Sequence, residues 1–173
     1  MSSKLKNLSP FKQGNMPSAS KMSFGIVVSE WNEEITGKLY KGAYNTLIKY
    51  GVKKTNIIKI NVPGSFELPS GAQFILENTK ADAVICLGCV IQGETRHFEF
   101  ICNAVANGIS SVGILYKKPV IFGVLTTNNQ QQAKDRSGGK HGNKGDEAAY
   151  TVIKMVALQK GLSGNKKGKG IKV

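Results

Sequence analysis

Residues 88–100 read GCVIQGETRHFEF and set Gly93, Thr95 and His97 at alternate positions after an apolar run. The run reads as a buried strand that stops at Gly93, with a helix starting just after Thr95. A glycine that lets a ligand reach backbone, a hydroxyl and the free amides of a helix N-terminus together suit an anion such as phosphate. The same residues also make an ordinary N-cap, and this segment alone weighs the two equally. His97 is one of two histidines in the chain and falls in the first helical turn. An imidazole there can give or take a proton beside a bound anion; a purely structural histidine fits the segment as well.

A second charged segment, DRSGGKHGNKGDEAA at 135–149, joins two helical stretches through glycines and presents Arg136, Lys140, Lys144 and Glu147. Arg136 can offer a phosphate the bidentate charge that lysine cannot copy, although composition alone favours a solvated basic turn. His141 lies in the same loop with nothing to place it near a partner. Trp31, Phe66 with Glu67, and Phe122 follow apolar runs or lie within them. They suit a flat heteroaromatic ligand stacked on the rings, with Glu67 accepting its hydrogen bonds; core packing is the plainer reading of Phe66 and Phe122. The sequence has no P-loop, no G-x-G-x-x-G turn after a strand and no spaced His and Cys zinc set. Cys86 and Cys89 do spell C-x-x-C, but residues three apart on a strand point to opposite faces, so they cannot grip one ion or close an unstrained disulfide. They read as small buried hydrophobes.

The elements that must position these residues alternate short β-branched runs with longer amphipathic stretches, the pattern of a parallel sheet covered by helices. Strands are expected at 24–30, 56–62, 83–91 and 120–127, and helices at 33–50, 68–79, 96–109, 128–137 and 144–160. Gly51 marks the end of the first helix, Pro69 the first turn of the second, and Thr127 with Gln130 a capping box for the fourth. Right-handed crossovers then give an α/β fold: a three-layer α/β/α sandwich on a four-stranded parallel sheet, flavodoxin-like in its layering. Ligands in such sheets sit beyond the carboxyl ends of the strands, where WNEEIT, PGSFELP, QGETRHFE and TNNQQQ should gather.

At 173 residues and 40% hydrophobic the chain fits one domain. No apolar run is expected to approach the roughly 20 residues of a membrane span, and the first thirty residues lack a signal-peptide core, so a cytoplasmic address is expected. The net charge of +13 collects at the ends, on Lys4, Lys6, Lys12 and Lys21, and on Lys160, Lys166, Lys167, Lys169 and Lys172. The division is therefore a basic extension at 1–22, a domain at 23–160 and a basic tail at 161–173. With two arginines in the whole chain and only Phe11 as an aromatic in the tails, solvated lysine tails are favoured over a nucleic-acid partner.

In order and spacing these segments resemble the lumazine synthase family. The resemblance rests on Trp31-Asn32, on Pro63 through Glu67 (PGSFE), on Gly88 through His97, on Pro119 through Thr127 (PVIFGVLTT), and on Arg136 through Gly145 ending in GNKG. It covers residues 23–158 and implies condensation of 5-amino-6-ribitylaminouracil with 3,4-dihydroxy-2-butanone 4-phosphate, with no cofactor or metal. It further implies that Trp31 stacks on the pyrimidine, that Ser65, Phe66 and Glu67 bind its ring and ribityl chain, that Cys89, Val90 and Ile91 supply backbone contacts, and that Phe122 completes the pocket. Glu94, Thr95 and Arg136 would hold the phosphate, His97 would move protons, and Lys144 and Glu147 would support them. The family pocket lies between neighbours of a homopentamer, with Phe122 and Arg136 donated across the interface. The short GGKHGN connection resembles that of members whose twelve pentamers form an icosahedral shell, and a riboflavin synthase is an implied partner.

Two positions depart from the family pattern: Gln92 stands where many members carry Arg or Lys, and Trp31 replaces a frequent phenylalanine while keeping a stacking face. Two other functions compete on the same residues. One is a shell that packages RNA through its lysine tails without catalysis, against which stand Phe66, Glu67, His97 and Arg136. The other is a relative that dismutates lumazine to riboflavin, against which stands Arg136 beside an anion cradle.

Overall fold

The computed structural model describes residues 16–164. The lysines of the two tails, Lys21 and Lys160 apart, lie outside the described residues, and so does any role expected of them. Four parallel strands, β1 (Phe24–Ser29), β2 (Ile57–Val62), β3 (Ala83–Ile91) and β4 (Val120–Thr127), form one sheet in the order β2-β1-β3-β4. β1 and β3 are buried along nearly their whole length, as their continuous apolar runs require, whereas β2 is an edge strand and alternates.

Helices α1 (Glu33–Lys49) and α5 (Lys144–Gly164) cover one face of the sheet. Ile35, Leu39, Ala43 and Leu47 of α1 and Val152, Ile153 and Val156 of α5 pack there on Phe24, Ile26, Ile85 and Leu87. Helices α2 (Leu68–Asn78) and α3 (His97–Tyr116) cover the other face, with Leu68, Ala72, Ile75, Val105 and Ile109 on Val27, Val84 and Val124. The packed unit reaches back before β1, since Ala19 and Met22 are buried in the first of these layers. Cys89 belongs to that same layer and Cys86 to the opposite one, which bears out their expected divergence.

The ends of α1 and α2 follow their residues. Gly51 takes φ +89° after α1, and the amides of Gly51 and Val52 donate to Ile48 and Leu47 carbonyls at 2.9 and 3.1 Å, a glycine-dependent C-cap. Pro69 sits in the first turn of α2, where its missing N–H costs nothing. Elsewhere the expectations need correction. Helix α3 runs seven residues past the expected end at 109, because Gly108 is no breaker there: a Cβ on it would stand 2.7 Å from Pro69 Cγ, so the glycine lets α2 and α3 close together. Left-handed Lys117 ends the helix instead.

Thr127 does not cap the next helix; it stays in β4, paired with Ile91. Asn129 caps α4 (Gln130–Arg136), its side chain accepting from the Gln132 amide at 2.9 Å while Gln132 Oε1 accepts from the Asn128 amide at 3.0 Å. After α4 a small antiparallel hairpin, β5 (Ser137–Gly139) with β6 (Gly142–Asn143), was not expected; Gly138 and Gly142 supply its positive φ angles of 119° and 76°. At its other end, α5 extends to Gly164, past the expected limit of 160.

The expectation that no apolar stretch approaches membrane length also fails, since α3 is long and apolar enough by length and composition. Its inner side packs in the core through Val105, Ile109 and Val112, while Phe100, Ile114 and Leu115 are more than 60% exposed in the single chain.

Candidate active site

A cavity of about 640 Å³ opens at the carboxyl ends of β1 and β3, the point where the strand order reverses. That is the position at which open parallel sheets bind ligands, because the loops after the two strands diverge to opposite sides. Trp31, Asn32, Ser65, Phe66, Glu67, Val90, His97 and Ile101 are among its walls, together with Gly64, Cys89 and Ile91.

Trp31 follows β1 with its ring 70% exposed; its amide donates to Pro63 O at 3.1 Å and its carbonyl accepts from Ser29 Oγ at 3.4 Å. Ser65, Phe66 and Glu67 form a single 3₁₀ turn between β2 and α2. Glu67 accepts from the Gly64 amide at 3.0 Å through one carboxylate oxygen, which fixes the side chain and leaves the rest of the carboxylate for a ligand. The Ser65 hydroxyl is buried and has no hydrogen-bond partner. Unsatisfied buried hydroxyls are costly and uncommon, so Ser65 Oγ is poised for a ligand atom. It fits only because residue 88 is glycine, where a Cβ would approach Oγ to 2.6 Å.

Cys89, Val90 and Ile91 end β3 beneath these loops, and burial pushes the Cys89 thiol up to about 11, so it is neutral near pH 7. His97 opens α3 at the far wall, exposed, its amide donating to Thr95 Oγ1 at 3.4 Å. Thr95 thus binds the first turn of α3, while Glu94 and Thr95 both stand exposed at the cavity's margin rather than in its wall. Among the described residues no group of three or more His, Cys, Asp or Glu is arranged to hold a metal ion.

The remaining candidate residues are not brought to this cavity by the single chain. Phe122, Lys144 and Glu147 line a separate groove of about 300 Å³ along β4 and α5, with Val120, Ile121 and Thr151. β4 is the opposite outer strand from β2, so this groove borders a free sheet edge. Lys144 Nζ donates to Glu147 Oε2 at 2.6 Å, and Glu147 is buried. Arg136 ends α4 and lines neither cavity; its Nη1 donates to Gln132 O at 3.1 Å. Asn32, Gly64 and Ile101 are the walls that sequence reasoning left without a role. Ile101 was discoverable, because it lies one helical turn after His97 and therefore on the same side of α3.

An open parallel sheet, a switch-point cavity walled by aromatics and strand ends, and a histidine at a helix start together define an α/β enzyme acting on a small aromatic ligand. The family model for 6,7-dimethyl-8-ribityllumazine synthase matches residues 21–160, and the chain belongs to that family, a group of transferases in riboflavin biosynthesis. It is similar to the 6,7-dimethyl-8-ribityllumazine synthase of Cytophaga hutchinsonii, 64% identical over 91% of this chain and 98% of that protein. The synthase of Parabacteroides distasonis is 53% identical over 90% of this chain and 98% of its own length. That of Flavobacterium johnsoniae is 52% identical over 94% and 86% respectively.

Proposed function

We propose that the chain condenses 5-amino-6-(D-ribitylamino)uracil with 3,4-dihydroxy-2-butanone 4-phosphate, giving 6,7-dimethyl-8-ribityllumazine, phosphate and water. The observation that carries this reading is the switch-point cavity, whose aromatic walls and unpartnered Ser65 hydroxyl suit a polar heteroaromatic ring. In that cavity Trp31 stacks on the pyrimidine, Ser65, Phe66 and Glu67 bind its ring and ribityl chain, and backbone groups of Cys89, Val90 and Ile91 fix its register.

The amine is already nucleophilic, so the enzyme's main work is to hold two substrates in attacking geometry. Amine attack on the ketone carbonyl loses one water as the imine forms; phosphate then leaves, and the ribitylamino nitrogen closes the ring on the second carbonyl with loss of another water, while His97 passes protons between these steps. Glu94 and Thr95 at the margin, with Arg136, hold the phosphate; Arg136 stabilises the charge that builds on it as it leaves. Lys144 and Glu147 support this end of the site as an ion pair.

The site is completed between chains. Phe122 and the Lys144–Glu147 pair lie along the free β4 edge and Arg136 ends α4, all outside the cavity of their own chain, and the apolar outer face of α3 offers surface for a neighbour. A ring of five such chains closes every edge on a cavity, and the short GGKHGN hairpin suits a shell of twelve rings. A riboflavin synthase would consume the product, and the working address is the cytoplasm.

Purified protein mixed with the two substrates is expected to raise lumazine absorbance above an enzyme-free control. No rise from a folded oligomer would remove the catalytic assignments and leave a scaffold.

A further inference from the structure

We propose that Asn32 is a positioning residue for this reaction: it anchors the Trp31 ring over the cavity by joining the loop after β1 to the end of β3. Asn32 adopts the left-handed conformation, φ 61° and ψ 45°, immediately before α1. Asparagine at such a place ordinarily caps the helix with its side chain. Here it makes no side-chain cap. Its main-chain carbonyl starts the helix instead, accepting from the Ile35 and Thr36 amides at 2.8 and 3.0 Å. The side chain points the other way, and Nδ2 donates to the carbonyl of Cys89 at 3.0 Å.

The pairing of β1 with β3 ends at Val28 and Leu87, so beyond that point the cavity opens between them. The Asn32–Cys89 bond spans the opening just past the last paired residues. Across the other side of the loop, the Trp31 amide donates to Pro63 O at 3.1 Å. Trp31 is thus tied to Pro63, just past β2, through its own amide and to β3 through its neighbour, while its ring, 70% exposed, has little packing of its own to hold it. Residue 32 must meet two demands at once, a left-handed backbone and a side-chain donor. Glycine meets only the first. Aspartate tolerates the backbone but turns the donor into an anion facing a carbonyl oxygen.

The inference rests on the reading that the pyrimidine stacks on Trp31, and the test separates the two. Trp31 is the chain's one tryptophan, so intrinsic fluorescence reports this side chain alone. Asn32→Gly and Asn32→Asp are made in the full-length assembled protein, and Trp31 anisotropy is measured without substrate alongside steady-state kinetics. Anisotropy is expected to fall in both variants. KM for the ribitylaminouracil is expected to rise about 5- to 10-fold, the loss of one hydrogen bond's worth of ordering. KM for the butanone phosphate and kcat are expected to stay within about twofold, since the bond acts on the pyrimidine side only. Unchanged anisotropy in both variants would overturn the anchoring role. A loosened Trp31 with unchanged pyrimidine KM would uphold the anchor and overturn stacking on Trp31.

Discussion

The proposed function gives His97 and Arg136 different tasks, and their variants are expected to separate them. His97→Ala should lower kcat by about 10²-fold, the usual size of a general acid–base contribution, with little change in either KM. Activity should persist above zero, because the imine also forms without enzyme. Arg136→Ala should instead raise KM for the phosphorylated ketone by roughly 10- to 100-fold, as expected for a charge-assisted hydrogen bond. Steady-state kinetics with each substrate varied in turn checks both, and unchanged kinetics in Arg136→Ala would sink the phosphate assignment. Cys89 carries a pH signature of another kind. Burial raises its thiol from 9.0 to about 11, so between those values the unfolded chain has lost a proton that the folded chain keeps. Its contribution to stability is fully present below pH 9.0 and is lost as pH climbs to about 11. Urea midpoints followed through this range should fall more steeply in the parent protein than in Cys89→Ala.

Packing at α1, α5 and α3 governs which substitutions the fold tolerates. A Cβ at Gly145 would stand 1.9 Å from the backbone carbonyl oxygen of Leu39, so the start of α5 lies directly on α1. No side chain can rotate away to make room, and Gly145→Ala is expected to destabilise by about 1–3 kcal/mol or more in chemical denaturation, the range for overpacked sites. On α3, Leu115→Glu places a charge on an exposed apolar face, and sedimentation should show a smaller assembly with its secondary structure intact. The four strands and five helices were legible in the sequence wherever apolar residues kept one period over a full element. What escaped was set by single contacts that no period reveals. Gly108 sits under Pro69, a close approach of α2 and α3 that no period announces. Likewise, pairing with Ile91 keeps Thr127 in the strand, and Asn129 becomes the cap of α4. The β5–β6 hairpin is too short to alternate at all. Of the candidate site, the residues after strand ends could be located because a parallel sheet gathers them at one edge. The orientation of Asn32 could not, since its side chain bonds a strand 57 residues away in sequence.

At the scale of the whole molecule, the proposed function makes the switch-point cavity and the groove along β4, which lie apart in one chain, two halves of a site completed between neighbours. Composition and periodicity say nothing of that division; family resemblance suggested it, and the separation of the cavity from the β4 groove gives it a physical basis. Dilution that dissociates the assembly should therefore abolish turnover while circular dichroism still reports folded chains. The divided site also has a genetic corollary. Trp31→Ala and Arg136→Ala chains, each impaired alone, are expected to meet in mixed rings when made in one cell. With equal random mixing, roughly one junction in four joins an intact cavity to an intact edge. Two damaged alleles would then complement each other, and a strain carrying both would grow without added riboflavin where neither lesion alone allows it.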